Sequence, residues 1–132
     1  MDVKLHRERP IPPEGVLELY QNVNWWPERT PEDVARVLER DPACGVWDGE
    51  RLVGFARAVT DDRVRAYIED VVVHSDYRRQ AVGQELLAVL LKELAHIDVV
   101  SLFCEPELVP FYEKNNFRRS RTQVVMHRKS HP

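Results

Sequence analysis

The chain has 132 residues, of which 43% are hydrophobic and 31% charged, and a formal net charge of -3, which suits one domain over residues 1–132 with a core that needs no disulfide or structural metal. A slightly acidic chain gives no electrostatic reason to expect nucleic acid or an anionic membrane surface as partner, and no apolar run approaches the length of a membrane span. The polar, Pro-rich start lacks a signal-peptide core, and Cys44 and Cys104 stand far apart with no paired Cys/His spacing, so a reducing, cytoplasmic setting without bound metal is the expectation.

Residues 3–7 alternate as a short strand that Pro10, Pro12 and Pro13 end. Val16, Leu17 and Tyr20 then recur at helical spacing over residues 13–23. A loop holding Trp25 and Trp26 leads to Thr30-Pro31-Glu32-Asp33, a helix start with a capping hydroxyl, a first-position proline and acids in the first turn. Val34, Val37 and Leu38 give that helix one apolar stripe to about Arg40. Two strands follow, around Gly45-Val46-Trp47 and over residues 52–60, joined at Asp48-Gly49-Glu50 as a hairpin.

Residues 64–74 read as a long strand, and its apolar run Val71-Val72-Val73 suggests a central position covered on both faces. A helix over residues 83–96 carries Leu86, Leu87, Leu90, Leu91 and Leu94 on one face. A buried strand over 99–104, a short helix over 108–115 and one or two closing strands over 117–128 complete the order β-α-α-β-β-β-α-β-α-β. Hairpins combined with a β-α-β crossover predict a mixed α/β sheet flanked by helices.

The chemistry gathers where the central strand stops. His74-Ser75-Asp76-Tyr77-Arg78-Arg79-Gln80-Ala81 forms a short basic loop, and a helix starts at about Val82. The first turn of a helix has free N–H groups and the positive end of the helix dipole, which together make an anion site suited to a pyrophosphate. Ala81 and Gly83 are small enough to let a ligand near the backbone, and Arg78 and Arg79 add guanidinium donors. A plain, solvated basic turn accounts for the spacing equally well. Neither GxxxxGK[ST] nor GxGxxG is present.

Arg78-Arg79-Gln80-Ala81-Val82-Gly83, between a Val-rich strand and a Leu-rich helix, resembles the R-x-x-G-x-G coenzyme A signature of the GNAT acetyltransferases. Phe111-Tyr112-Glu113-Lys114-Asn115-Asn116-Phe117 is similar to the second signature of that superfamily, and the order of elements matches over nearly the whole chain. Ala81 stands where Gly is usual, and a positive φ would be less comfortable there. Asn116 replaces another Gly, a milder change, because Asn tolerates the left-handed conformation. Glu105 stands about where many members carry an Asn.

The resemblance implies acetyl-CoA as co-substrate and no metal. It places the pantetheine along Val71, Val72 and Val73, and the pyrophosphate on the amides of Arg79, Gln80, Ala81, Val82, Gly83 and Gln84 with Arg78 beside them. Phe111 and Lys114 complete the cofactor side. It implies direct attack by a primary amine, with Tyr112 as the acid for the leaving thiolate. An alkyl ammonium of pKa about 10.4 is roughly a thousandth neutral or less at pH 7, so the amine needs a proton acceptor. Glu69 and Asp70 both precede the apolar run. Adjacent strand residues face opposite ways unless a bulge intervenes, so only one of the two should face the substrate. Family parity favours Glu69, on the face of Tyr67, with Asp70 as the fallback or as the partner of a buried arginine.

The acceptor is less legible. Parts of the chain are similar to glucosamine-6-phosphate N-acetyltransferases, in which basic groups hold the sugar phosphate and are often shared across a homodimer. Arg57, Arg63 and Arg65 would suit an anionic acceptor or form a solvated face. Trp25 and Trp26 either wall the acceptor site or cover core. A peptide acceptor, and a domain that senses acetyl-CoA without catalysis, are the other readings.

Overall fold

The structure is a computed structural model that describes residues 1–78 and 81–130. Its elements are β1 (Asp2–Leu5), α1 (Pro13–Asn22), α2 (Pro31–Arg40), β2 (Ala43–Asp48), β3 (Arg51–Thr60), β4 (Arg65–Val73), α3 (Val82–Glu93), β5 (Val99–Leu102) and α4 (Val109–Glu113). The strands form one sheet in the order β1-β2-β3-β4-β5. The first three pairings are antiparallel, and β4 pairs with β5 in parallel.

Each face of the sheet buries its own cluster. On one face, Leu86, Leu87, Leu90 and Leu94 of the Leu-rich helix pack on Cys44, Val46, Val53, Ala56, Ala58, Ala66 and Ile68. The small side chains of β3 and β4 let α3 approach closely. On the other face, Val16, Leu19 and Tyr20 of α1 and Val34 and Leu38 of α2 meet Trp47, Leu52, Phe55 and Val72. α2 starts as its sequence dictates: the Thr30 side chain accepts from the Asp33 amide, and the Asp33 carboxylate accepts from the Thr30 amide.

Two irregularities depart from simple alternation. On β4, Asp70 pairs with Arg57 and Ile68 with Ala58, so Glu69 is an extra residue in the ladder. This is the bulge on which the facing of the two acids depends. The second departure corrects an expectation: residues 117–128 form no strand. Val124, Val125 and Met126 are 86%, 54% and 87% exposed. Strand propensity acts through packing on a pleated neighbour, and here the backbone is engaged locally instead. The Ser120 hydroxyl accepts from the Thr122 and Gln123 amides, and the Arg118 guanidinium donates to the Glu113 and Phe117 carbonyls.

Candidate active site

The parallel ladder joins residues 65–68 of β4 to residues 99–102 of β5 and then stops. β4 runs on to Val73, paired only with β3. Val71, Val72 and Val73 therefore line an opening between β4 and the chain that leaves β5. Its cavity, about 1400 Å³, is also bounded by the loop after α1, the start of α3 and the segment from Leu102 to Lys114. Such a volume exceeds an ordinary small-molecule pocket, which holds about 300–1,000 Å³, and has room for a long ligand with a second molecule beside it.

One end of the cavity is the N-terminus of α3. Ala81 caps it with φ 60 and ψ 14, in the left-handed region that the sequence flagged as awkward for this residue. The first helical bond runs from the Glu85 amide to the Ala81 carbonyl at 3.1 Å. The Val82, Gly83 and Gln84 amides thus have no partner among the described residues and face outward to meet an anion. A Cβ built on Gly83 would meet only Phe111 and Val73, at 3.7 and 3.8 Å, so the protein leaves room there. Exposed Arg78 lines the same end. Arg79 and Gln80, assigned to this site from the sequence, lie outside the described residues. Gln84 and Asn115 exchange amide hydrogen bonds of 2.8 and 3.2 Å, which tie the start of α3 to the end of α4. Asn116 just beyond takes φ 67, the left-handed conformation that Asn tolerates. Phe111 and Lys114 join the lining from this side.

Tyr112 also faces the cavity, 9% exposed, with Phe111 and Phe117 packed edge-on against its ring. Its hydroxyl makes no hydrogen bond to the described residues, and none of their side-chain oxygens is sealed away without a partner. The hydroxyl is therefore not sealed from solvent, and Tyr112 is part of the cavity lining. Burial, reinforced by Cys104 nearby, pushes its pKa up to about 12.

The two acids of β4 have different surroundings. Glu69, at the bulge, is half-buried and lines the cavity beside Tyr67, whose pKa is pushed up to about 12 by burial and by the neighbouring Glu69 carboxylate. Asp70 is 2% exposed. Its Oδ2 accepts from the Tyr20 hydroxyl at 2.7 Å and from Arg57 Nε at 2.9 Å, and Arg57 Nη1 also donates to Asp41 at 2.7 Å. Arg57 is thus engaged inside the fold, while Arg63 and Arg65 lie outside the cavity lining.

Trp25 and Trp26 are partly exposed and line the cavity, and Trp25 also lies against the core residue Tyr20. Phe103, Glu105 and Glu107, which the sequence reading did not place together, stand on the opposite wall. Glu105 holds its proton more tightly than usual, chiefly through a hydrogen bond to Glu107. Tyr20 was legible only as part of a helical stripe, because its link to Asp70 spans 50 residues. Among the described residues there is no group of three or more His, Cys, Asp or Glu placed to hold a metal ion, and no helix long and apolar enough to cross a membrane.

Known proteins are similar to this chain in sequence or in fold. A stretch of 69 residues is 44% identical to an uncharacterized N-acetyltransferase, ycf52, of Porphyra purpurea, covering 51% of this chain and 40% of that protein. A probable acetyltransferase of unknown function from meticillin-resistant Staphylococcus aureus has the same fold with a TM-score of 0.82 at 25% identity, over 97% of this chain and 99% of its own. Glucosamine-6-phosphate N-acetyltransferase from Arabidopsis thaliana shares the fold alone, with a TM-score of 0.73 at 19% identity over 96% of this chain and 99% of its own. The description of the Acetyltransferase (GNAT) family matches residues 6–117, and the chain belongs to that family.

Proposed function

We propose that this chain transfers the acetyl group of acetyl-CoA to the primary amine of a small molecule by direct attack, with no acyl-enzyme. The observation that carries the reading is the cavity itself: the unpaired edge of Val71–Val73, the free amides of α3, Glu69 and Tyr112 all open on one space. Acetyl-CoA supplies the acyl group as a reactive thioester. The Val82, Gly83 and Gln84 amides with Arg78 bind its pyrophosphate, and the backbone groups that alternate residues of Val71, Val72 and Val73 turn away from β3 pair with the pantetheine amides. Glu69 accepts a proton from the acceptor ammonium, so that the N–H bond breaks and a carboxyl O–H forms. As the amine nitrogen bonds to the carbonyl carbon and the C–S bond breaks, Tyr112 gives its phenolic proton to the departing sulfur, and the second proton shed by the nitrogen returns to the phenolate. Its pKa of about 12 keeps it protonated at any working pH.

The cavity's charged side chains favour an acceptor that is not phosphorylated. Among the described residues, Glu69, Asp70, Glu105 and Glu107 outnumber Arg78 and Lys114, and the arginine expected to meet an anion, Arg57, is paired with Asp41 and Asp70.

The test is thiol release from acetyl-CoA across a panel of amines: glucosamine 6-phosphate, polyamines, arylalkylamines and N-terminal peptides. Wild type should turn over at least one unphosphorylated amine. Tyr112→Phe should lower kcat by about 10²-fold, within the range for general acid catalysis, with acetyl-CoA affinity nearly unchanged. An unaltered rate removes the acid role from Tyr112.

A further inference from the structure

Asp70 is the most deeply buried charged group of the cavity wall, and its two oxygens have different surroundings. Both protein donors converge on Oδ2, the Tyr20 hydroxyl at 2.7 Å and Arg57 Nε at 2.9 Å. Oδ1 has no donor among the described residues, yet no side-chain oxygen among them is both sealed from solvent and unpartnered. Oδ1 therefore opens on the cavity that Asp70 lines. A carboxylate that is 98% out of solvent and keeps one oxygen free lacks a partner for it.

Behind Asp70 the contacts run through Arg57 to Asp41. Arg57 bridges Asp70 and Asp41, the residue that ends α2, at 2.9 and 2.7 Å. Burial works against the Arg57 charge, but the two carboxylates outweigh it and raise its pKa. One guanidinium between two carboxylates leaves the cluster with an unbalanced negative charge, and Glu69 lies next to it on the same wall. A cation entering the cavity would meet this charge first at Oδ1.

We propose that Asp41, Arg57 and Tyr20 are positioning residues for Asp70, and that its free Oδ1 receives the acceptor as an ammonium ion before Glu69 takes the proton. The inference rests on the acetyl-transfer reading above and deepens it: the acceptor enters charged, and a neutral isostere is rejected. Asp70 binds the acceptor and Glu69 deprotonates it, so two neighbouring carboxylates serve separate steps. Tyr20 and Asp41 act only through Asp70, since neither hydroxyl nor carboxylate needs to touch the acceptor.

The experiment compares wild type with Tyr20→Phe, Asp41→Asn and Asp70→Asn, using the amine that turns over best. Tyr20→Phe and Asp41→Asn should each raise the amine KM by about tenfold, the worth of one charge-assisted hydrogen bond. The acetyl-CoA KM should stay within twofold, and the acid limb of the pH–rate profile should not move. Asp70→Asn should raise the amine KM further. A fall in melting temperature with an unchanged amine KM would make the network merely structural and overturn the proposal. So would an acid limb that moves in Tyr20→Phe, because Asp70 would then be the base.

Calorimetry separates this from failure of the acetyl-transfer reading. Phenethylamine titrated into wild type and Tyr20→Phe reads the same contact without turnover, and phenethyl alcohol serves as the neutral isostere. Weaker amine binding to Tyr20→Phe, with the alcohol bound equally poorly by both, supports the proposal. Equal binding of the amine by the two proteins, absence of binding included, overturns it. Acetyl-CoA titrated into wild type tests the acetyl-transfer reading independently. Tyr20→Phe removes one hydroxyl and leaves the Arg57–Asp70 pair intact, so it is informative even if Asp70→Asn does not fold.

Discussion

Ala81 carries a conformational cost that the family pattern explains. Its φ of 60 is one that an L residue with a Cβ adopts at a cost of about 1–2 kcal/mol. The gain from glycine is reduced by the extra entropy that glycine loses on folding. Ala81→Gly should stabilise the protein by about 0.5–1 kcal/mol, read as a higher denaturant midpoint with an unchanged slope. Acetyl-CoA affinity should hold or improve, because the Ala81 amide is kept. A lower midpoint would show that the methyl group contributes packing that outweighs the strain. This position was legible because the motif calls for glycine where the sequence has alanine. The roles of Glu69 and Asp70 were not legible to the same degree. Alternation along a strand assigns faces only when the ladder is regular, and the extra residue at Glu69 shows up only once Arg57 is seen opposite Asp70 and Ala58 opposite Ile68.

At the scale of elements, α3 serves two needs that its sequence separates by position. Leu86, Leu87 and Leu90 anchor it in the core, while the Val82, Gly83 and Gln84 amides have no partner among the described residues. Gly83 lies within the helix, and a Cβ there would make only ordinary contacts, so its absence serves the space in front rather than the packing behind. Gly83→Ala should therefore act in opposite directions on two measurements. Thermal stability without ligand should rise by about 0.5 kcal/mol from helix propensity, and acetyl-CoA binding by calorimetry should weaken. If binding is unaffected, the ligand does not approach the helix at this turn. The elements legible in the sequence were those with an internal period, above all α3, or a strong start signal such as Thr30-Pro31. The closing strands over residues 117–128 were misread because Val124, Val125 and Met126 have strand propensity but no packed neighbour. The splay of β4 from β5 was inferable only by analogy, because nothing within Val71-Val72-Val73 reveals which edge goes unpaired.

Across the whole molecule, all four tyrosines hold their protons more tightly than a free phenol, whose pKa is about 10. Burial and then the Asp70 charge raise Tyr20 strongly, while burial first and Glu69 second put Tyr67 at about 12. Burial with Cys104 puts Tyr112 at about 12, and the hydrogen bond to Asp48 raises Tyr77. They come from α1, β4, the turn after β4 and α4, so their ionisation reports on the fold as a unit. The unfolded chain releases these protons near pH 10, while the folded chain keeps those of Tyr67 and Tyr112 until about pH 12 and holds those of Tyr20 and Tyr77 above the free value. Each raised pKa thus contributes stability that is fully present below pH 10 and is lost as pH rises through the folded value. Buried Cys44, pushed up to about 12 by desolvation, acts in the same direction over a window that opens lower, at the value of a free thiol. A titration followed by tyrosinate absorbance should show little ionisation at pH 10, then a steep rise that coincides with loss of circular dichroism. In Tyr20→Phe the rise should lose one tyrosine of amplitude, and unfolding should become less dependent on pH in this window. A gradual ionisation centred near pH 10, with the fold intact, would mean that the phenols are solvated and that Tyr112 lacks the elevated pKa its acid role uses.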